Sequence, residues 1–154
     1  MQAFGQFPKE VQTLLFEMGK QSADNNRKKR VATFKGVNRL AKKEGIVFIG
    51  DSIMEGFPLY EMYYGIKPIY NRGIAGDMNQ GLLQNLQDIV YDLEPSRVIL
   101  LIGINDLLEN KVRIVNRIEA ICKEIKKKLP DTEILVQSIY PVNNRSNHKA
   151  SHIW

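Results

Sequence analysis

Residues 46–52 read IVFIGDS, and this stretch decides the fold. Its first four residues are apolar without alternation, and their β-branched and aromatic side chains favour a strand that is covered on both faces. Gly50 breaks the run, and Asp51 or Ser52 can cap a following helix. The pattern therefore predicts a buried parallel strand that brings a serine hydroxyl to its carboxyl end, where open α/β sheets place their chemistry.

Further strands are predicted at 69–70, 97–102 and 133–139. The stretches between them, over 78–92 and 112–129, carry apolar residues at helical spacing. Because strands that alternate with helices form right-handed βαβ units, we expect an α/β fold: a parallel sheet with helices on both faces, in three αβα layers.

The segment over 53–64 is predicted to be a broken helix and loop. Its bulky side chains fit either the core or an apolar binding pocket.

Two amphipathic helices are predicted before the first strand, over 8–22 and 26–43. An apolar stripe on an appended helix needs a surface to cover. We therefore expect residues 1–44 to form a helical extension that packs on the sheet or on another subunit, and residues 45–154 to form the main domain. The extension is the candidate interface of a homo-oligomer.

The composition is that of an ordinary globular protein, with 44% hydrophobic and 25% charged residues in a 154-residue chain. The net charge of +5 comes largely from basic clusters at 27–30, 42–43 and 126–128. These clusters are typical of solvated helix faces and ends. Nucleic-acid binding is not favoured, because no aromatic residues are interleaved with the basic ones. No apolar run is long enough to span a membrane, and the N-terminus lacks the apolar core of a signal peptide, so we expect a cytoplasmic protein.

Polar residues follow each of the first three strands. Ser52 follows the first strand, the loop NRGIAGD over 71–77 follows the second, and GIND over 103–106 follows the third. Because the carboxyl ends of parallel strands lie on one edge of a sheet, we expect Ser52, Gly76 and Asn105 to share one site. A glycine in such a loop lets a ligand oxygen approach main-chain N–H groups.

These three segments resemble blocks one, two and three of the SGNH hydrolases, also called GDSL-like lipases and acylhydrolases. The surrounding pattern is most similar to the platelet-activating-factor acetylhydrolase-like branch, over roughly 46–141. The resemblance implies a flavodoxin-like sheet with Ser52 as nucleophile. It also implies an oxyanion hole formed by the backbone N–H groups of Ser52 and Gly76 and the side-chain amide of Asn105. Three aspartates are then expected to support the surrounding loops: Asp51, Asp77 and Asp106.

The sequence departs from the family at its C-terminal end. The family's general base is the histidine of an Asp-x-x-His block beyond the third block, and no such block is present. The candidate bases are His148 and His152, for which a solvated position in the tail is the alternative. A missing final helix and strand would leave one sheet edge unprotected. We therefore expect a C-terminally shortened hydrolase domain with impaired catalysis.

The sequence as a whole predicts an esterase or acylhydrolase that hydrolyses a small, acetyl-like acyl ester through an acyl-enzyme on Ser52. Nothing in the sequence suggests a metal or organic cofactor. A phosphate-loop signature and a complete dinucleotide motif are both missing. The alternative is a non-catalytic binding or oligomerisation module that retains the fold.

Overall fold

The centre of the protein is a sheet of four parallel strands in the order β2-β1-β3-β4. The computed structural model describes residues 6–66, 68–108 and 113–141. The strands are β1 (Ile46–Gly50), β2 (Ile69–Gly73), β3 (Arg97–Leu101) and β4 (Glu133–Val136). The α/β fold with a parallel sheet, predicted from the alternation of strands and helices, is confirmed.

Helices cover both faces of this sheet. On one face, the core contains residues of the helices α1 (Lys9–Asn38), α4 (Asn79–Gln84), α5 (Leu86–Ile89) and α7 (Ile114–Lys128). On the other face, the core contains residues of α2 (Ser52–Glu55) and α3 (Leu59–Met62). A further short helix, α6 (Ile104–Leu108), follows β3. The structure therefore has the three layers that the sequence predicts.

Strand β1 occupies the middle of the sheet and contributes to both cores. Val47 and Ile49 are fully buried in the core under α1, whereas Phe48 faces the core under α2. Both faces of the strand therefore need apolar side chains, which explains the absence of alternation. At the carboxyl end, Gly50 is in register with Gly73 of β2 and Leu101 of β3, so these three strands end side by side.

The prediction of two N-terminal helices is wrong, because α1 is one helix of 30 residues. The residues at the predicted break include neither glycine nor proline, and Asp24 forms an ion pair of 2.7 Å with Arg27 one turn later. The helix also ends earlier than predicted. At its last residue, the buried Asn38 side chain donates to the Asp88 carbonyl at 2.7 Å and accepts from Arg72 at 2.8 Å, which anchors the end of α1 on the domain.

The helix predicted over 78–92 is interrupted. It consists of α4, α5 and a 3₁₀ turn at Tyr91–Leu93. Asn85 adopts a non-helical conformation (φ −117°, ψ 17°), and its side-chain amide donates to the Gly81 carbonyl at 2.8 Å. This side-chain bond competes with the regular helical pattern and divides the segment.

Strand β4 lies at one end of the sheet and is shorter than predicted. Leu135 and Val136 are 44% and 50% exposed. Among the described residues, none pairs with its outer edge. None of the described helices combines the length and the apolar content needed to cross a membrane.

Candidate active site

Ser52 is the first residue of α2 and lies directly beyond the end of β1. The helix is capped by Asp51, whose Oδ1 accepts a hydrogen bond of 3.0 Å from the Ile53 N–H. Asp51 is 1% exposed, whereas Ser52 is exposed. The turn depends on Gly50, which has a φ of +155° and whose Cβ, if present, would lie 1.9 Å from the Leu101 carbonyl oxygen. A tight strand-to-helix turn therefore presents the serine at the edge of the sheet.

The end of β2 packs directly on the helix that carries Ser52, and the loop after β2 binds the same helix. A Cβ atom at Gly73 would lie 2.2 Å from the backbone nitrogen of Glu55. The Asn71 side chain joins the two segments, because it donates to the Met54 carbonyl at 2.8 Å and accepts from the Gly73 N–H at 2.9 Å. The Glu55 carboxylate accepts from the Ala75 N–H. The loop that contains Gly76 is therefore fixed to α2 by backbone and side-chain contacts.

Gly76 has a left-handed conformation with a φ of +79°. A Cβ atom there would lie 2.8 Å from Cβ of Ala23 in α1, so a side chain would not fit between the loop and the helix. Glycine is needed here both for its backbone conformation and for the close approach of α1.

The segment after β3 joins the same loop through Asn105, and it binds α4 and α7 through Asp106. The Asn105 side-chain amide donates to the Asp77 carbonyl at 2.8 Å. Asp106 accepts from the backbone N–H of Asn79 at 3.0 Å and from Arg117 at 3.1 Å. The structure thus links the segments that contain Ser52, Gly76 and Asn105, as expected from the common direction of the strands.

The three supporting aspartates are buried: Asp51 is 1% exposed, and Asp77 and Asp106 are fully buried. Burial raises the pKa of Asp51, the nearby Asp77 and Asp106 charges raise it further, and the Ile53 N–H acts in the opposite direction. Burial also raises the pKa of Asp77, although its hydrogen bond and ion pair with Arg27 at 2.7 Å favour the charged carboxylate. The ionised forms of Asp51 and Asp77 are therefore costly to bury.

The sequence analysis missed several residues that fix this arrangement. The sequence did mark Glu55 as a residue that could act at the start of a helix, because Ser52 and Glu55 have the S-x-x-E spacing of a capping box. In the structure the cap is Asp51, and Glu55 instead reaches the loop after β2. Arg27 and Arg117 lie on helices whose basic residues were assigned to solvated faces or left without a role. Both arginines bind buried aspartates.

The bulky residues after Ser52 divide between the two predicted roles. Met54 and Leu59 are buried in the core, whereas Tyr60, Met62 and Tyr64 are exposed. A mostly apolar cavity of about 210 Å³ is lined by Ile53, Phe57 and Tyr63, and the buried Met54 also borders it. The other residues that line this cavity are Phe48, Ile99, Leu101, Gln137 and Tyr140.

The candidate bases His148 and His152 lie outside the described residues. Within the described part of the chain, no group of three or more His, Cys, Asp or Glu side chains is arranged to hold a metal ion.

Comparison with known proteins identifies the family of the chain. The sequence profile of the GDSL-like lipase/acylhydrolase family matches residues 48–152. A search of curated protein sequences found no match. Among solved structures, a protein from Streptococcus pneumonia named as a platelet activating factor shares 32% identity and a TM-score of 0.79. The match covers 92% of this chain and 68% of that protein.

Two more distant structures share the fold. A GDSL-like lipase from Bacteroides thetaiotaomicron is 21% identical with a TM-score of 0.60, over 73% of this chain and 60% of that one. A family 3 carbohydrate esterase from Clostridium thermocellum is 21% identical with a TM-score of 0.56, over 68% of this chain and 65% of that one. The family profile covers most of the chain, and it includes the segments that contain Gly76 and Asn105 and the Ser52 turn. The chain therefore belongs to the GDSL-like lipase/acylhydrolase family.

Proposed function

We propose that this chain is a serine esterase or acylhydrolase that cleaves a small acyl ester through an acyl-enzyme on Ser52. The observation that carries the proposal is the connection of three strand ends. Gly73 packs on the backbone of the Ser52 helix, and Asn105 donates to the loop that contains Gly76. These contacts support a site to which separate segments bring a nucleophile and two kinds of hydrogen-bond donor at one edge of the sheet.

The proposed chemistry uses each group in a different role. The Ser52 Oγ attacks the ester carbonyl carbon and loses its proton to a general base, and the carbonyl π electrons move to the oxygen. The backbone N–H groups of Ser52 and Gly76 and the Asn105 amide donate to this oxyanion. Each such preorganised donor contributes about 3 kcal/mol to the barrier reduction. As the intermediate collapses, the base returns its proton to the leaving oxygen and the alcohol departs. Water, deprotonated by the same base, then attacks the acyl-enzyme and releases the carboxylic acid and free Ser52. His148 and His152 remain the candidates for the base.

Two cavities support an ester with a short acyl group and a polar alcohol. The 210 Å³ cavity contains Ile53, which directly follows the nucleophile, and its size and apolar lining suit a short acyl chain. A second cavity of about 370 Å³ opens beside Gly76 between α1 and α4, where Lys20, Gln80 and Gln84 offer hydrogen-bonding groups. Esters of carbohydrates, the substrate class in one structural neighbour's name, would provide a polar alcohol of this kind.

A fluorophosphonate probe and p-nitrophenyl acetate test the proposal. The intact chain should be labelled on the peptide containing Ser52 and should hydrolyse the ester, and Ser52→Ala should abolish both. Ser22→Ala removes an exposed hydroxyl from α1 and is the matched control, so it should behave like the wild type. A folded wild-type chain that is neither labelled nor active would contradict the proposal.

The second candidate function, a non-catalytic oligomerisation module, is favoured by the N-terminal half of α1. That half carries an exposed apolar stripe, consisting of Val11, Leu14, Leu15 and Met18, at helical spacing. A second copy of the chain could cover this stripe. Leu15→Lys should then convert a dimer to a monomer in light-scattering measurements, and a wild type that is monomeric at all concentrations would contradict this function.

A further inference from the structure

Helix α1 supplies side chains that bind the loop between β2 and α4. The Asn26 amide donates to the Ala75 carbonyl at 3.0 Å. The Arg30 guanidinium donates to the Gly73 carbonyl at 2.8 Å and 3.2 Å. Between them in sequence, Arg27 binds the Asp77 carboxylate at 2.7 Å. Three polar residues of one helix therefore hold the loop that contains Gly76.

Asp77 is fixed through its backbone as well as its side chain. Its N–H donates to the Ile74 carbonyl at 3.0 Å, and its own carbonyl accepts the Asn105 amide at 2.8 Å. Its Oδ1 accepts from Arg27, and the whole residue is buried. Asp77 thus lies between Arg27 of α1 and the Asn105 carboxamide, which is proposed as an oxyanion donor. The peptide groups on both sides of Asp77 cannot rotate without breaking these hydrogen bonds.

Gly81 leaves room for the ion pair between Arg27 and Asp77, because it has no side chain. A Cβ atom at Gly81 would lie 2.0 Å from Oδ1 of Asp77 and 2.5 Å from Nε of Arg27. Gly81 does not have a positive φ, so the requirement comes from the close approach of the pair and not from backbone strain. Replacement of Gly81 by alanine would force the two groups apart without changing any charge.

We propose that Arg27 is a positioning residue for the acyl-transfer reaction, which holds the Asn105 carboxamide in place through Asp77. The inference rests on the proposed function, because Asn105 is an oxyanion donor only if the chain is an acylhydrolase. The physical basis is the burial of Asp77. A fully buried carboxylate needs a charged partner, and loss of Arg27 leaves it to be protonated or to move toward water. Either change shifts the carbonyl to which Asn105 donates.

The test uses the full chain and two independent readouts. The first is the second-order rate of fluorophosphonate labelling at Ser52. The second is the hydrogen-exchange rate of the Asn105 side-chain amide, measured by NMR and assigned with Asn105→Asp. The variants are Arg27→Gln, which removes the charge, Arg27→Lys, which retains it, and Gly81→Ala, which separates the pair sterically. Lys28→Gln removes a charge from an exposed position on the same helix and is the matched control.

We expect Arg27→Gln and Gly81→Ala to slow labelling by about 10-fold or more and to accelerate exchange of the Asn105 amide, with thermal unfolding confirming that both fold. Arg27→Lys should recover part of both losses, and Lys28→Gln should match the wild type. If Arg27→Gln does not fold, Arg27→Lys and Gly81→Ala give the same two readouts. Labelling and exchange that are unchanged in folded Arg27→Gln or Gly81→Ala overturn the inference.

The two proposals fail in different ways. A wild-type chain that is not labelled overturns the proposed function, whatever the variants do. In that case the exchange measurement still decides whether Arg27 holds the Asn105 amide. An amide that exchanges faster in the variants supports the positioning contact, and an unchanged amide rejects it.

Discussion

At the scale of single residues, backbone atoms make the closest contacts of the site, and glycine allows them. A Cβ atom at Gly73 would lie 2.2 Å from N and 2.6 Å from Cα of Glu55, and neither atom can move without moving α2. We therefore expect Gly73→Ala to lower the free energy of unfolding by about 3 kcal/mol or more, at the upper end of the usual cost of overpacking. Urea denaturation measures the change.

Gly36→Ala is the matched control for this prediction. Gly36 lies within α1, and nothing lies within 4 Å of the position its Cβ would take. Because glycine is a poor helix former, we expect this substitution to raise the free energy of unfolding by about 0.5 to 1 kcal/mol. Equal effects of the two substitutions would show that the contact between Gly73 and α2 is not tight.

The burial of Asp51 predicts that the free energy of unfolding depends on pH. Burial raises the pKa of its carboxyl group, so the folded protein holds a proton that the unfolded chain has already released. The stability contribution of Asp51 is therefore present below the ordinary aspartate range and decreases as pH rises through the raised pKa. Asp51→Asn removes this titration and keeps an oxygen that can accept from the Ile53 N–H.

We expect the free energy of unfolding of Asp51→Asn, relative to the wild type, to increase as pH rises from about 4, the ordinary aspartate value, to neutrality. Denaturation at a series of pH values measures this difference. Asp131→Asn, at an exposed position, controls for the loss of one negative charge. Parallel stability curves for Asp51→Asn and the wild type would show that burial does not disfavour the Asp51 charge.

The sequence indicated the residues at the ends of the strands because polar side chains follow apolar runs there. It did not indicate their partners. Arg27 and Asp77 are 50 residues apart, and Glu55 and Ala75 are 20 apart. A basic residue on a helix has the same local pattern whether it faces water or a buried carboxylate. Only the packing of α1 on the loop after β2 distinguishes the two.

At the scale of elements, α1 buries one aromatic side chain, Phe34, in the core of the domain. Phe34 is 3% exposed, and the guanidinium groups of Arg30 and Arg72 each lie 4.7 Å from its ring centre. We expect Phe34→Ala to lower the free energy of unfolding by about 3 to 5 kcal/mol, because it creates a cavity and removes both cation–π contacts. Denaturant unfolding measures the loss.

Phe16 provides the control in the same helix. It is 45% exposed and contacts only the Lys20 ammonium among the described cations, at 4.6 Å from the ring centre. We expect Phe16→Ala to change stability by less than about 1 kcal/mol. Similar losses for the two variants would contradict the assignment of Phe34 as the anchor of α1.

The existence of the main elements could be predicted from hydrophobic periodicity, but their limits could not. The polar stretch in the middle of α1 favoured a break, and only the tertiary contacts of Asn26 and Arg27 show why the helix continues there. Conversely, the apolar spacing over 78–92 favoured one helix, and the side-chain bond of Asn85 interrupts it. Polar side-chain contacts, long-range in α1 and local at Asn85, therefore account for both differences from the predicted helix limits.

At the scale of the whole molecule, the parallel direction of the strands brings the site together. The register places Gly50, Gly73 and Leu101 side by side, so the loops that follow β1, β2 and β3 must meet. This result could be predicted, because βαβ units have one handedness and the carboxyl ends share one edge. The hydrogen bond from Asn105 to Asp77 and the ion pair between α1 and that loop depend on side-chain packing that no periodicity encodes.

The most direct test of the account is a crystal structure of the chain with a phosphonate attached to Ser52. The phosphoryl oxygen of this adduct occupies the position of the oxyanion. We predict that this oxygen lies roughly 3 Å from the backbone nitrogen of Gly76 and from Nδ2 of Asn105. An adduct on another residue, or an oxygen that contacts neither group, would contradict the claim that these segments form an acyl-transfer site.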